Sequence, residues 1–336
     1  MPGPVDVALV SLGTTLGLRR ADEAFAAGLR AEGVSCELRP VRIGRAGMLR
    51  RQLAVTDLVE AMAARRVPRG GARVTVFSTV TAALLRPGGG PYGVRFDSPA
   101  ALNRRGVTGA WQRRAERRAL DGARALFPWS DAAAEAAPGR APRVVVPVPV
   151  EESRGGAERD IAALAYAGDP AKRGLDVLCR AWAAAETDAR LVVSGIEEDR
   201  ARAWLGRRRI EAPPGIEFIG PVERGRWLEL VGRARLFVNA SRWEDFGISQ
   251  LEALSAGALL VTTPSPGPYA ALPIARELAP ALVGADLASA VAAGLALADA
   301  DAAGYRERAA AALAPFRPAA VQRVMGERVV PALGLG

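Results

Sequence analysis

The sequence of 336 residues has no histidine, only two cysteines and a single lysine. Without histidine, Ser-His-Asp and Cys-His triads, histidine-ligated metals and an imidazole general base are all excluded. Cys36 and Cys179 are far apart and lack metal-ligand spacing, so neither a disulfide framework nor a cysteine-based zinc site is expected. Aromatic residues make up 5% of the chain, too few to interleave with basic residues as nucleic-acid binders do, and no nucleic-acid module is recognisable. Every apolar run is broken by Arg, Pro or charge before it reaches membrane-span length, and no basic-then-apolar leader opens the chain. A cytoplasmic location is the resulting expectation. Chemistry is left to carboxylates, arginine, the one lysine or the substrate itself.

What is present is ordinary for a globular protein: 50% hydrophobic and 24% charged residues, with enough length for two domains. The net charge of +9 is unevenly spread: residues 1–160 hold 25 arginines against 16 acids, and residues 161–336 hold 20 basic against 20 acidic residues. A basic half attracts phosphorylated substrates, anionic membranes or nucleic acid. Because 44 of the 45 basic residues are Arg, the excess reads as coding bias and is a weak partner signal.

Residues 5–10 read as a strand, 11–17 as a glycine-containing turn and 21–30 as a helix. A strand at 34–41, a helix at 56–64, a strand at 72–77, a loop at 88–92, a basic amphipathic helix at 111–123 and a strand at 143–147 follow. Residues 147–156 read as a linker. Beyond it, strands at 161–167, 190–194, 216–219, 236–239 and 259–262 alternate with helices at 175–185, 198–208, 226–233 and 248–255. Repeated βα units predict parallel sheets covered by helices. The expected class is α/β, with domains at 1–150 and 155–315 facing across a cleft and a terminal helix at 319–333 crossing back to the first.

The richest stretch is Ser241-Arg-Trp-Glu-Asp-Phe-Gly-Ile-Ser-Gln-Leu-Glu-Ala-Leu-Ser-Ala-Gly257. Glu244 and Glu252 are eight residues apart, which in an ideal helix is an offset of about 12 Å and roughly 80°. That span matches opposite ends of a nucleotide-sugar, with the diphosphate between them at the amides of a helix start. A carboxylate pair at this spacing is usually just solvated surface. Here, however, Glu244 follows a buried strand, at the end where open α/β sheets bind ligands. A second stretch, Tyr166-Ala-Gly-Asp-Pro-Ala-Lys-Arg-Gly-Leu-Asp176, joins the second domain's first strand to its first helix. Gly168 permits close approach and the helix start offers unpaired amides, a cradle for phosphate. Lys172, the only lysine, and Arg173, just before Gly174, supply two cations of different reach to the same turn.

These two stretches resemble the retaining glycosyltransferases of family 4, whose GT-B fold is two facing Rossmann-like domains. The resemblance is strong over about residues 160–285. Phe96-Asp-Ser-Pro-Ala100 and Phe127-Pro-Trp-Ser130 also look like segments of actinobacterial members. It implies that Glu244 contacts the transferred sugar, Glu252 the ribose, and Lys172 and Arg173 the donor diphosphate, with Phe246, Gly247 and Ile248 in the same donor motif. Backbone near Ile219 and Val222 would meet the base. The implied reaction transfers a sugar from a nucleoside-diphosphate sugar to an acceptor hydroxyl, with retention by same-face attack, no metal and no cofactor beyond that co-substrate. The acceptor is open among a lipid, a glycan and a small metabolite. Asp169 stands where members often carry Arg, and the family's first-domain histidine is missing, which places Phe96 or Asp97 near the reacting centre.

Gly13, Gly17 and Arg19, in the first domain's opening turn, are further candidates to meet the donor or the reacting centre. Asp299-Ala-Asp301 resembles a metal-binding D-x-D but fits a helix N-cap better, and the proline-rich loop at 263–269 is a candidate wall of the donor pocket. Arg104, Arg105, Arg113, Arg114, Arg117 and Arg118 surround Trp111. This cluster reads first as a solvated helix and second as a weak contact with an anionic membrane surface, peripheral at the inner face. Two other functions stay open on the same fold: a nucleotide-sugar epimerase, and a nucleotide-sugar-binding protein without transfer.

Overall fold

Two five-stranded parallel sheets organise the chain, one in each of two units: Met1–Pro149 with Pro318–Gly336, and Val150–Arg317. The computed structural model describes residues 5–43, 53–68, 70–85, 90–152, 158–297 and 299–336. Parts of the loop expected at 88–92 and of the linker expected at 147–156 lie outside the described residues.

The first unit runs β1 (Val5–Ser11), α1 (Leu16–Ala31), β2 (Cys36–Pro40), α2 (Leu53–Arg65), β3 (Ala72–Phe77), α3 (Val80–Ala83), β4 (Tyr92–Phe96), α4 (Ala100–Asn103), α5 (Ala110–Asp121), β5 (Ala125–Pro128) and α6 (Asp131–Ala136). Its strand order is β2-β1-β3-β4-β5, a doubly wound arrangement that reverses direction between β1 and β3. Val7 through Val10 are completely buried, as expected of a strand covered by helices on both faces. Three helices begin directly after strands because a hydroxyl caps each one: Thr15 accepts from the Leu18 amide at 3.2 Å, Thr79 from Ala82 at 3.1 Å and Ser130 from Ala133 at 3.2 Å.

Two strands depart from expectation. The loop expected through residue 92 gives way at Tyr92 to β4, which carries the fully buried Arg95, and the short β5 completes the sheet. The strand expected at 143–147 is reduced to a single bridge between Leu126 and Arg143. The amides of Val144 and Val146 still donate to the Leu126 and Pro128 carbonyls at 2.9 and 2.8 Å, but Pro128 of β5 has no amide hydrogen to return the next bond, so the ladder stops at one bridge.

The second unit runs β6 (Ile161–Tyr166), α7 (Leu175–Ala184), β7 (Leu191–Ser194), α8 (Glu198–Gly206), β8 (Ile216–Phe218), α9 (Arg224–Arg233), β9 (Ala234–Asn239), α10 (Ile248–Ser255), β10 (Leu259–Thr262), α11 (Ala271–Leu278), α12 (Leu287–Ala296) and α13 (Asp299–Ala312). The order β10-β9-β6-β7-β8 is the dinucleotide-binding arrangement, with its switch point between β6 and β9. Since α13 starts at Asp299, the two aspartates expected before that helix lie within its first turn. The ends of the unit meet, because the Val150 amide donates to the Phe316 carbonyl at 2.8 Å.

The chain then returns to the first unit as α14 (Pro318–Val324), a π-helical turn (Met325–Val329) and α15 (Val330–Leu333). Val321, Met325, Val329 and Leu333 are buried in the cluster that contains Phe25, Leu29 and Phe127. Gly28 lets them pack close, since a Cβ there would come within 3.1 Å of the Met325 side chain.

Candidate active site

Three loops of the second unit, each following a strand, are stitched into one structure. In the β6–α7 loop, Asp169 Oδ1 accepts from the amides of Ala171 and Lys172, both at 3.1 Å. The residue that departs from the family pattern thus folds the turn. Arg242, in the β9–α10 loop, reaches across: its amide donates to the Lys172 carbonyl at 2.9 Å and its guanidinium to the Ala171 carbonyl at 3.0 Å. The same guanidinium grips Asp176 at 2.9 and 2.6 Å. Burial opposes ionisation of Asp176, but Arg242 outweighs it and holds the carboxyl below its ordinary range. The β10–α11 loop closes the set, with the Glu244 amide donating to Pro266 at 3.1 Å and Ser265 Oγ to Ser241 at 2.6 Å.

Two glycines make this close approach feasible. Gly174 has φ +63° and its missing Cβ would collide with the Ala240 carbonyl; Gly247 has φ +89° and its Cβ would strike the Tyr269 ring at 2.6 Å. Any other residue would be strained and would push the loops apart. Each glycine precedes a helix without a side-chain cap, so the first-turn amides of α10 are left for a ligand.

The expected charges converge here. Lys172 Nζ donates to Asp245 Oδ2 at 2.6 Å, and Trp243 Nε1 holds the other oxygen of Asp245 at 2.6 Å. Burial works against the ammonium, yet the Asp245 charge prevails and raises Lys172 above the usual lysine range. Arg173 pairs directly with Glu244 and lies over the Tyr166 ring, 5.4 Å from its centroid. Glu244 is 2% exposed. Its Oε1 receives Arg173, Ser241 Oγ at 2.8 Å and Gln250 Nε2 at 2.7 Å, while no described residue donates to Oε2. The carboxylate is clamped by one oxygen and offers the other. Beneath it, burial and the Glu244 charge raise the Tyr269 phenol far above its ordinary value.

Glu252 is held differently. Trp227 Nε1 donates to Oε2 at 2.7 Å, and Arg224 Nη1 lies 2.5 Å from Oε1 as an ion pair without hydrogen-bond alignment. Only Glu252 is helical; Glu244 precedes the helix, so the ideal helical offset between the two does not apply. Phe246 is buried, Ile248 opens α10, and Gly168 lies under Tyr166, whose hydroxyl occupies the space a Cβ would need. Ile219 and Val222 flank Gly220, whose carbonyl accepts from the Gly195 amide at 2.8 Å. Arg242, Ser241, Gln250, Asp245, Trp227 and Arg224 escaped the sequence reading. The local sequence carries no signal for the pairings of Arg242, Trp227 and Arg224 or for that of Asp245 with Lys172, each of which joins residues 25 or more positions apart.

The first-unit candidates fare unevenly. Phe96, the last residue of β4, is 1% exposed and packs in the hydrophobic core. Gly17 lies inside α1 rather than in the opening turn, and Arg19, one turn into the helix, folds back to donate to the Gly13 carbonyl at 3.0 Å. Asp97 is half-buried just after β4 and accepts from the Ser98 amide at 2.8 Å. Among the described residues no group of three His, Cys, Asp or Glu is placed to hold a metal. No described helix is long and apolar enough to cross a membrane.

Residues 160–301 match the family model described as Glycosyl transferases group 1. No curated protein is significantly similar in sequence. Among solved structures, sucrose-phosphate synthase from Thermosynechococcus elongatus superposes with a TM-score of 0.70 at 16% identity, covering 99% of this chain and 100% of that one. The lipopolysaccharide outer core galactosyltransferase WaaB gives 0.58 at 13% identity, over 97% and 99% of the two chains. S. aureus TarM, solved with fondaparinux, alpha-GlcNAc-glycerol and UDP, gives 0.60 at 10% identity, over 78% and 55%. These likenesses show the fold to be GT-B, with two Rossmann-like α/β domains.

Proposed function

We propose that the chain is a retaining glycosyltransferase that takes a nucleoside-diphosphate sugar as donor. The observation that carries this reading is the meeting of Lys172, Arg173 and Glu244 with the uncapped start of α10 at the switch point of the second unit. A diphosphate fits those cations and amides, and its arrival would exchange the Asp245 and Glu244 pairings for phosphate oxygens. The match of residues 160–301 to a glycosyl transferase model and the UDP bound by the structurally similar TarM support the same ligand class.

In the proposed step the bond between the sugar's anomeric carbon and the phosphate oxygen breaks while the acceptor hydroxyl bonds on the same face. The acceptor's proton passes to the departing phosphate oxygen. Negative charge grows on the diphosphate, where preorganised donors contribute about 3–4 kcal/mol each, so the reading requires neither histidine nor metal. Glu244 would accept from a sugar hydroxyl through Oε2, and Glu252 would hold the ribose once Arg224 moves aside.

A thermal-shift panel of UDP, GDP and ADP with their sugars identifies the donor, followed by an acceptor screen. Nucleoside diphosphate released only when an acceptor is present favours transfer over epimerisation or simple binding. Glu244→Gln should impair transfer more than nucleotide affinity, and Glu252→Gln the reverse; equal effects on both would sink the assigned roles.

A further inference from the structure

The arginines between residues 104 and 118 fall into two groups. Arg104 is consumed by the fold, donating to Asp57 at 2.6 and 2.9 Å, and Arg113 donates to the carbonyls of Arg104 and Gly106. Arg114, Arg117 and Arg118 are exposed and bond to none of the described residues, and Arg105 is exposed with a single bond, to the Leu102 carbonyl. Trp111, Arg114 and Arg118 stand at i, i+3 and i+7, within an arc of about 60° on one face of α5. Just before the helix, Val107 is 91% exposed, and Trp111 in its first turn is 36% exposed.

No acid offsets this face over most of its length. Glu116 is completely buried on the opposite side, where it accepts from the Ala100 amide at 2.6 Å, and Asp121 at the far end accepts from the Arg140 amide. Asp57 of α2 receives Arg104 at the end of α4 and, at 3.4 Å, Gln112 Nε2 in the first turn of α5, and α2 exposes Leu58 and Met62 at 42% and 46%.

We propose that the outward face of α5, with the turn at Val107, is a docking surface for an anionic lipid bilayer. A solvated helix has no use for an exposed valine and tryptophan among free cations. A protein partner would ordinarily meet a rim of mixed polarity, whereas this face carries one sign of charge and an apolar tip. Bilayers suit that combination. A tryptophan settles at headgroup depth, arginine stems lie along the apolar boundary while their heads reach phosphate, and a small apolar residue enters the acyl edge. The surface stands independently of the transfer reading.

The test is co-sedimentation of the full chain with phosphatidylcholine vesicles, with and without phosphatidylglycerol, at low and high salt. The chain should partition onto the anionic vesicles alone and leave them as salt rises. At roughly a fivefold contribution for each arginine near the surface, Arg114→Glu with Arg118→Glu should weaken partitioning at least about 25-fold. Val107→Ser with Trp111→Ser, which keeps the charge, should weaken it several-fold, and Leu228→Ser on the second unit should leave it unchanged. Circular dichroism of each variant reports whether it is folded; Arg114, Arg118 and Val107 are exposed, so melting should not move for the charge pair, and Val107→Ser alone controls for the packing that the 36% exposed Trp111 loses. Wild-type chain that stays in solution overturns the proposal. So does partitioning that ignores the serine pair while heparin competes it away, because the face would then be binding any polyanion.

Discussion

The two units share an architecture and close it in opposite ways. In the first, Ser11, Asp22 and Arg95 pair with one another out of reach of solvent, leaving Arg95 Nε as the one buried nitrogen of that side chain without a partner among the described residues. Ser11 donates to Asp22 at 2.5 Å, Arg95 pairs with Asp22 at 3.1 Å, and the Arg95 guanidinium lies 4.5 Å from the Trp129 ring centroid. Both charged side chains are 1% exposed. Burial lowers Arg95 to about 10 and raises Asp22. In the second unit the corresponding end keeps its charges available: the Lys172 side chain is 38% exposed, and Glu244 holds one oxygen in reserve. The same sheet end thus serves as a sealed joint in one unit and an open socket in the other. What separates them is whether the partners of each charge come entirely from the protein.

The largest expected effect tests the sealed side. Arg95→Met leaves Asp22 buried without its cation and should cost about 3–5 kcal/mol of stability in urea unfolding; adding Asp22→Asn should recover most of it. A single variant as stable as wild type would mean that the joint is not sealed. On the open side, Lys172→Ala should lower turnover by about 10²–10³ with little change in melting temperature. Unaltered turnover would show the socket's lysine to be idle.

Glu116 gives a pH-dependent probe of the first unit. Burial raises it to about 7, against the lowering effect of the Ala100 and Ala101 amides. With the folded value above the unfolded one, its contribution is fully present below about pH 4.5 and is lost as pH rises through 7. Relative to Glu116→Gln, wild type should therefore lose on the order of 2–3 kcal/mol between pH 5 and 8; parallel stability profiles would contradict this. The smallest effect returns to the second unit. Gln250→Leu removes one of the three donors on Glu244 Oε1 and should reduce transfer about tenfold, leaving nucleoside diphosphate affinity unchanged in calorimetry.

The units also differed in how much of them was legible beforehand. In the second, the elements named from hydrophobic runs and turn residues agree with the structure to within two residues at each end, because each βα unit is short and bounded by Gly or Pro. In the first, β4 was hidden. Its sequence Tyr-Gly-Val-Arg-Phe places a charge inside a strand, and only the distant Asp22 makes that charge tolerable. At residues 143–147 the apolar content suggested a full strand, whereas the segment runs beside β5 with a ladder cut short by Pro128, which has no amide hydrogen to donate. At the candidate site, Lys172, Arg173 and Glu244 were readable as residue types in turns, and Glu252 as a carboxylate on the helix that follows. The ties of Arg242 to Asp176 and Trp227 to Glu252 were not, because they depend on the order in which strands lie side by side.

The return of the last helices to the first unit has a consequence for synthesis. Val321, Met325, Val329 and Leu333 complete a core whose other members are translated up to some 300 residues earlier, so the first unit cannot finish burying that core until these residues have left the ribosome. The second unit, whose ends are already hydrogen-bonded to each other, needs none of them. Although domains usually mature from the amino terminus onward, here the later-made unit is the one able to fold first, and the earlier-made one waits with an apolar face exposed.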